Sequence, residues 1–193
     1  MRITENEMQF VLSIIKSPER VYNANSIAKH LNISAMGALK IARKLEKQGI
    51  LNSKELGRAK FYSLDLKSEY ARQYVKFLFQ REAEQTHSYV KRWVIELKKV
   101  RHAEAIILFG SVLRKHEGAK DIDALFITNQ KEFSKLKKEI VDINLLNDKK
   151  IHSIYQNKED IINNIKKEDP VILNAIKGIV VRGEDFLLGI LIK

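Results

Sequence analysis

Apolar residues recur at helical spacing from Met8 through Phe10, Val11, Leu12, Ile14 and Ile15, and Ser17-Pro18 ends the run, which predicts a first helix. Asn25 is a candidate N-cap for a short helix carrying Ile27, Ala28 and Leu31, and Asn32-Ile33 makes the turn that follows. Ser34 is a second candidate cap. Behind it Ala38, Ala42 and Leu45 fall on one helical face, and Gly49 stops the helix in the C′ manner. The pattern then changes to alternation. Residues 50–54 and 60–64 flank Glu55-Leu56-Gly57-Arg58, which predicts a β-hairpin. Residues 66–99 lack proline and glycine. Tyr70, Tyr74, Phe77, Leu78, Val90, Val94 and Leu97 keep helical spacing with a break near Glu84-Gln85-Thr86, so one long helix or two joined helices are expected. Beyond residue 100, strands alternate with helices. The strands are Ile106–Phe109, Asp123–Ile127, Ile151–Tyr155 and a closing strand and turn over 178–187. The helices run over 133–146, 158–167 and 171–176, with Asp169-Pro170 breaking the chain between the last two.

Charge adds a direction to this pattern. The net charge is +11. Residues 1–65 hold 11 basic and 6 acidic side chains, residues 66–100 hold 8 and 4, and residues 101–193 hold 16 and 14, so the surplus lies in the first half. A cationic surface attracts polyanions and speeds their encounter. The chain has no cysteine, which excludes disulfides and thiolate metal sites. No apolar run reaches the ~18–20 residues a membrane helix needs, and the start, Met1 to Glu7, is polar and acidic rather than signal-like. A cytoplasmic protein with no membrane contact is expected.

The stretch from Ser34 to Leu51, with its serine cap, its Ala38, Ala42 and Leu45 core face and the hairpin behind it, resembles the winged helix-turn-helix of MarR-like and ArsR-like regulators. The resemblance implies that the helix after Ser34 enters the major groove of double-stranded DNA while the hairpin touches the backbone. Lys40, Arg43 and Lys44 project from that helix, and Lys54, Arg58 and Lys60 lie on or near the wing. Met36 and Leu39 stand where polar side chains usually meet base edges, so phosphate contacts are better supplied than base contacts. Docking of a protein partner is the other use of such a module. Residues 66–99 either pack on the flanking domains or pair with a second copy in a homodimer.

The second half carries candidate chemistry. A buried strand delivers Gly110-Ser111, and Asp121-Ile122-Asp123 opens the next apolar run. Strand side chains alternate faces, so both carboxylates point one way while Ile122 enters the core. Two carboxylates on one side suit a hard divalent cation such as Mg²⁺, which usually shares its shell with substrate phosphates. Gly110 allows close backbone approach, and Ser111 offers a hydroxyl to a phosphate oxygen.

Phe109-Gly110-Ser111, Arg114 and Asp121-x-Asp123 resemble the signature of the nucleotidyltransferase superfamily that includes DNA polymerase beta, and in particular its minimal nucleotidyltransferases. The resemblance covers roughly the last half of the chain. It implies that Gly110, Ser111 and Arg114 hold a nucleoside triphosphate and that Asp121 and Asp123 bind metal and serve catalysis. His152 stands where the family places a third carboxylate, and Lys115 and Lys120 stand where it places small residues. Imidazole can accept a proton or ligate a metal, so His152 is the third candidate catalytic residue.

The expected fold is a two-domain protein of α+β and α/β character. It has a winged helix over 1–65, a helical connector over 66–99, and a nucleotidyltransferase-like mixed sheet flanked by helices over 100–193. Two functions remain open. One is a DNA-binding transcriptional regulator whose second domain binds a nucleotide or a partner with a degenerate site. The other is an active Mg²⁺-dependent transferase that moves a nucleoside monophosphate from a triphosphate onto a protein or small-molecule acceptor.

Overall fold

The computed structural model describes residues 3–191, so Met1 and Arg2 of the polar start and the last two residues of the closing segment lie outside the described part. The described residues divide into two compact units, residues 3–78 with Leu191 in one and Phe79–Ile190 in the other.

The first unit runs α1 (Glu5–Ile15), β1 (Tyr22–Asn23), α2 (Ala24–Leu31), α3 (Ala35–Lys47), β2 (Leu51–Leu56) and β3 (Ala59–Leu64). Each helix start has a local cause. Thr4 and Glu7 form a reciprocal capping box on α1, Asn23 and Ser26 form one on α2, and the Ser34 hydroxyl accepts the Gly37 N–H at 3.0 Å. The predicted cap Asn25 lies inside α2. Asn23, two residues earlier, is the cap because its side chain accepts the Ser26 N–H at 2.8 Å. Ser34 and Gly49 fall where expected, Gly49 with φ +67° just beyond the Gln48 C-cap.

The wing turn is two residues long between Leu56 and Ala59, with Gly57 at φ +62° in its first central position, as the tight hairpin of a twisted ribbon requires. β1 was absent from the sequence-based expectation. It is only two residues long and pairs Tyr22 with Tyr62 and Asn23 with Phe61, giving a sheet ordered β1-β3-β2. Phe10, Ile27, Ala38, Ala42, Leu45 and Ile50 are fully buried, and the Phe10 and Tyr62 rings meet edge-on at 6.1 Å. Three helices closed by a small sheet with an extended hairpin make this unit a winged helix.

The helices that follow are α4 (Glu69–Glu84), within which the two units divide, and α5 (Ser88–Lys98). The expected 66–99 connector therefore breaks at residues 85–87. Its second helix is no connector: Val90, Trp93, Val94 and Leu97 of α5 are buried in the core of the second unit.

That unit continues with β4 (Ala105–Phe109), α6 (Val112–Lys115), a 3₁₀ turn over His116–Gly118, β5 (Ile122–Ile127), α7 (Phe133–Leu146), β6 (Ile151–Gln156), α8 (Lys158–Lys166), α9 (Pro170–Ile176), β7 (Ile179–Arg182) and α10 (Glu184–Leu191). The sheet order is β6-β5-β4-β7, with β5 and β6 parallel and the other pairs antiparallel. Ile106 and Leu108 share a cluster with α5, with Leu136 and Ile140 of α7, and with Ala124 and Phe126 of β5. All five residues of β4 are buried, which explains why this strand reads as a continuous apolar run rather than an alternating one. The segment after Gly110 holds a short helical turn, and the expected closing turn after Gly183 is instead helix α10.

Candidate functional site

The first candidate surface is the exposed side of α3 with the wing. Lys40, Arg43, Lys54 and Arg58 are exposed, and none of them forms an ion pair among the described residues. Ser34 is spent on capping α3. Two of the expected DNA contacts are engaged elsewhere. The Lys44 ammonium donates to the Glu7 carboxylate of α1. Lys60 lies 2.9 Å from Glu46, whose carboxylate also accepts the Ser53 hydroxyl. Burial pushes the Glu7 carboxyl up, but hydrogen bonds from Lys44 and from the Thr4 N–H outweigh it and hold the pKa below the usual carboxylate range. Glu46 behaves likewise: burial raises it, and the bonds from Ser53 and Lys60 lower it further. Lys44 and Lys60 thus each meet a carboxylate of the winged helix while remaining partly exposed. Sequence spacing did not reveal these partners, although Thr4-x-x-Glu7 is legible as a capping box that fixes where Glu7 lies. Met36 is 60% exposed on the same helix.

The second candidate surface lies at one end of the mixed sheet. Parallel pairing of β5 and β6 sets Asp123 directly beside His152, and the His152 Nδ1 lies 3.0 Å from an Asp123 carboxylate oxygen. Asp121, Asp123 and His152 offer ligand atoms that all lie within 4.8 Å of one another. Ile122 between the carboxylates is fully buried, as strand alternation requires. Antiparallel pairing of β4 and β5 sets Phe109 opposite Asp123, which delivers Gly110 to the same place.

Gly110 has φ +82°. A Cβ there would stand 2.0 Å from an Asp123 carboxylate oxygen and 2.9 Å from its Cβ. The glycine and the second aspartate are therefore one steric unit, since the Asp123 side chain occupies the space a residue-110 side chain would need. Ser111 starts α6 without spending its hydroxyl on a cap, and Arg114 is exposed one turn later on that helix. No polar contact joins the Arg114 guanidinium to Asp121, Asp123 or His152 among the described residues. The donor set of two carboxylates and one imidazole fits a divalent cation. A cation bound by Asp123 would have to share or displace its contact with His152.

No family model matches the chain, and no curated protein matches it. Solved structures do. The adhesin competence repressor AdcR from Streptococcus pyogenes is 18% identical, with 52% of this chain covering 69% of that one at a TM-score of 0.38. ZitR of Lactococcus lactis, described as a zinc-responsive MarR family member, is 17% identical over 52% of this chain and 74% of its own at 0.30. Wild-type ZitR in complex with DNA is 16% identical over 51% and 73% at 0.31. These structural neighbours are MarR-family proteins matching about half of the chain, and the likeness is too loose to carry an argument about what this chain does. No helix among the described residues is long and apolar enough to cross a membrane.

Proposed function

We propose that this chain is a DNA-binding transcriptional regulator whose second unit is a nucleotidyltransferase-like cleft that holds a divalent cation and a nucleoside triphosphate. The observation that carries the DNA half is how the cations of the winged helix are divided. Lys44 and Lys60 form ion pairs with Glu7 and Glu46. Lys40, Lys54 and Arg58 are left exposed and without an ion pair on α3 and the wing, and exposed Arg43 shares the Glu46 carboxylate with Lys60 only through its charge. Four such cations supply phosphate contacts, which position a protein on the duplex without reading its sequence. Met36 adds an apolar contact suited to a thymine methyl.

The nucleotide half is supported by the convergence of Gly110, Asp121, Asp123 and His152 at one sheet end. Asp121 and Asp123 would hold the cation, Ser111 would donate its uncommitted hydroxyl to a phosphate oxygen, and Arg114 would offset phosphate charge. A bound Mg²⁺ supplies charge neutralisation and orientation of the phosphate oxygens.

The second reading, transfer of a nucleoside monophosphate to a protein or small-molecule hydroxyl, is favoured by one observation. His152 lies 3.0 Å from Asp123, and an imidazole oriented by a carboxylate can accept a hydroxyl proton. With an imidazole in place of a third carboxylate, the site carries one less negative charge for a second cation, and transfer is expected to be slow. Titrating the full chain with a labelled triphosphate, with and without Mg²⁺, tests the nucleotide half. Parent-like binding by Asp121→Asn/Asp123→Asn would remove these residues from the site.

A further inference from the structure

A second group of metal-ligating side chains lies away from the aspartates, and neither the DNA surface nor the nucleotide cleft uses it. His87 sits between α4 and α5 and begins α5 as its N-cap, and His116 and Glu117 lie in the turn after α6. All three belong to the second unit. The His87 and His116 rings stack face to face, with centroids 3.8 Å apart and planes 8° apart. The two rings and the Glu117 carboxylate offer ligand atoms that all lie within 4.8 Å of one another. We propose that His87, His116 and Glu117 form a binding site for a nitrogen-preferring divalent cation of the Zn²⁺ type, which fastens the turn between the Gly110-Ser111 and Asp121/Asp123 segments to the start of α5.

Three features support this. First, the donor set is two imidazoles and one carboxylate, which suits Zn²⁺, whereas Mg²⁺ and Ca²⁺ take oxygen. Second, the ligands are already gathered from segments far apart in sequence. A tetrahedral Zn²⁺ with bonds of about 2.0–2.2 Å sets its ligand atoms roughly 3.3–3.5 Å apart. Closing from a spacing of no more than 4.8 Å takes at most about 1.5 Å, with a tilt of one ring out of the stack. His87 and Glu117 are exposed and His116 is half-buried, so the side chains are able to make that movement. Third, His116 is held in place by its backbone. It adopts φ +49° at the end of α6, its N–H donates to the Val112 carbonyl, and its own carbonyl accepts the Ala119 N–H at 3.1 Å.

Binding exchanges one contact. The His87 Nδ1 accepts the Tyr89 N–H at 3.3 Å. A cation at Nδ1 displaces that donor, and a cation at Nε2 requires the proton on Nδ1, which then cannot accept. Either way the α5 cap bond is given up, and since it is long, little is lost. The three protein ligands leave a fourth position for water. Occupancy would hold the 116–118 turn, which connects Ser111 and Arg114 to Asp121.

The test separates this site from the aspartate cluster. Full-length protein carrying Asp121→Asn/Asp123→Asn/His152→Ala would be titrated with Zn²⁺ against a chromophoric chelator, and with Co²⁺ while recording visible absorption. One tight Zn²⁺ site and a tetrahedral Co²⁺ spectrum are expected in that background. Adding His87→Ala or His116→Ala should weaken Zn²⁺ binding by at least about tenfold, as losses even among outer partners of metal ligands do, and should abolish the Co²⁺ band. Millimolar Mg²⁺ should not compete. Circular dichroism of the variants without metal checks that they fold, which the exposure of the rings leads one to expect. Zn²⁺ affinity unchanged by His87→Ala/His116→Ala, or no Zn²⁺ site in the aspartate-free background, would overturn the proposal.

Discussion

Gly110→Ala perturbs the cleft by one methyl group. The new Cβ would meet an Asp123 carboxylate oxygen at 2.0 Å, its carboxyl carbon at 2.8 Å and its Cβ at 2.9 Å. The first two contacts can be relieved by rotating Asp123 away, and the third only by a backbone shift. An L-residue at φ +82° costs about 1–2 kcal/mol for its backbone alone. Turning Asp123 forfeits its 3.0 Å contact with His152, about 0.5–1.5 kcal/mol for a hydrogen bond. The expected loss is therefore about 1.5–3.5 kcal/mol. At about 2–4 °C per kcal/mol for a chain of this length, that lowers the melting temperature by roughly 3–14 °C. Calorimetry of the parent, Gly110→Ala and a control, Gly189→Ala, measures it. Gly189 lies in α10 without a positive φ, and a Cβ added there would meet nothing within 4 Å, so its substitution should be neutral or stabilising. Adding Asp123→Ala to Gly110→Ala should recover part of the loss by removing two of the three close atoms. If Gly110→Ala melts with the parent and binds Mg²⁺ and triphosphate as the parent does, the steric coupling of Gly110 to Asp123 is refuted.

Glu7→Gln should destabilise the winged helix by about 1 kcal/mol, discounted because Lys44 is partly exposed to solvent, and urea titration measures this. The folded Glu7 carboxyl lies below its unfolded value, so its contribution is present above about pH 4.3 and is lost as pH falls through the lower folded value. A Glu7→Gln variant should therefore show a shallower acid limb than the parent. Asp121→Asn/Asp123→Asn should abolish the Mg²⁺-dependent part of triphosphate binding, read by calorimetric titration. His152→Asp should raise any nucleotide transfer measured with labelled triphosphate, since base assistance is worth about 10²–10⁴-fold. Rapid transfer by the parent that His152→Ala leaves unchanged would assign that role to another residue.

Where the sequence was legible, one local cause sufficed. Ser34 and Gly49 bound α3 because a cap and a C′ glycine act within a single turn, and α7 spans 133–146 as its apolar spacing implied. The pairing of Asp121 with Asp123 was legible from strand alternation, whereas His152 was reached only through the resemblance to nucleotidyltransferases; the parallel pairing of β5 and β6 is what sets it beside Asp123. Features set by pairing across distance were not. Two-residue β1 has no period to detect, and its partner is some forty residues away. Lys44 and Lys60 read as outward cations because nothing near them in sequence reveals that Glu7 and Glu46 fold against them. Asn23 displaced Asn25 as a cap because the reciprocal partner Ser26, rather than residue type, decides between two asparagines. The assignment of α5 to the second unit rests on Trp93 and Leu97 meeting β4, which helical spacing alone could not locate.

The central claim, that the winged helix binds duplex DNA through Lys40, Arg43, Lys54 and Arg58, is tested most directly by the salt dependence of binding. Fluorescence anisotropy of a labelled duplex, titrated with the full chain over a series of KCl concentrations, yields the log–log slope. Four phosphates neutralised per bound chain predict a slope of about −3.6. Replacing all four residues by glutamine should weaken binding and flatten the slope, and Lys60→Gln, whose ammonium is engaged by Glu46, should leave the slope at the parent value. A parent slope near zero, or a quadruple variant with parent affinity and slope, would contradict the account.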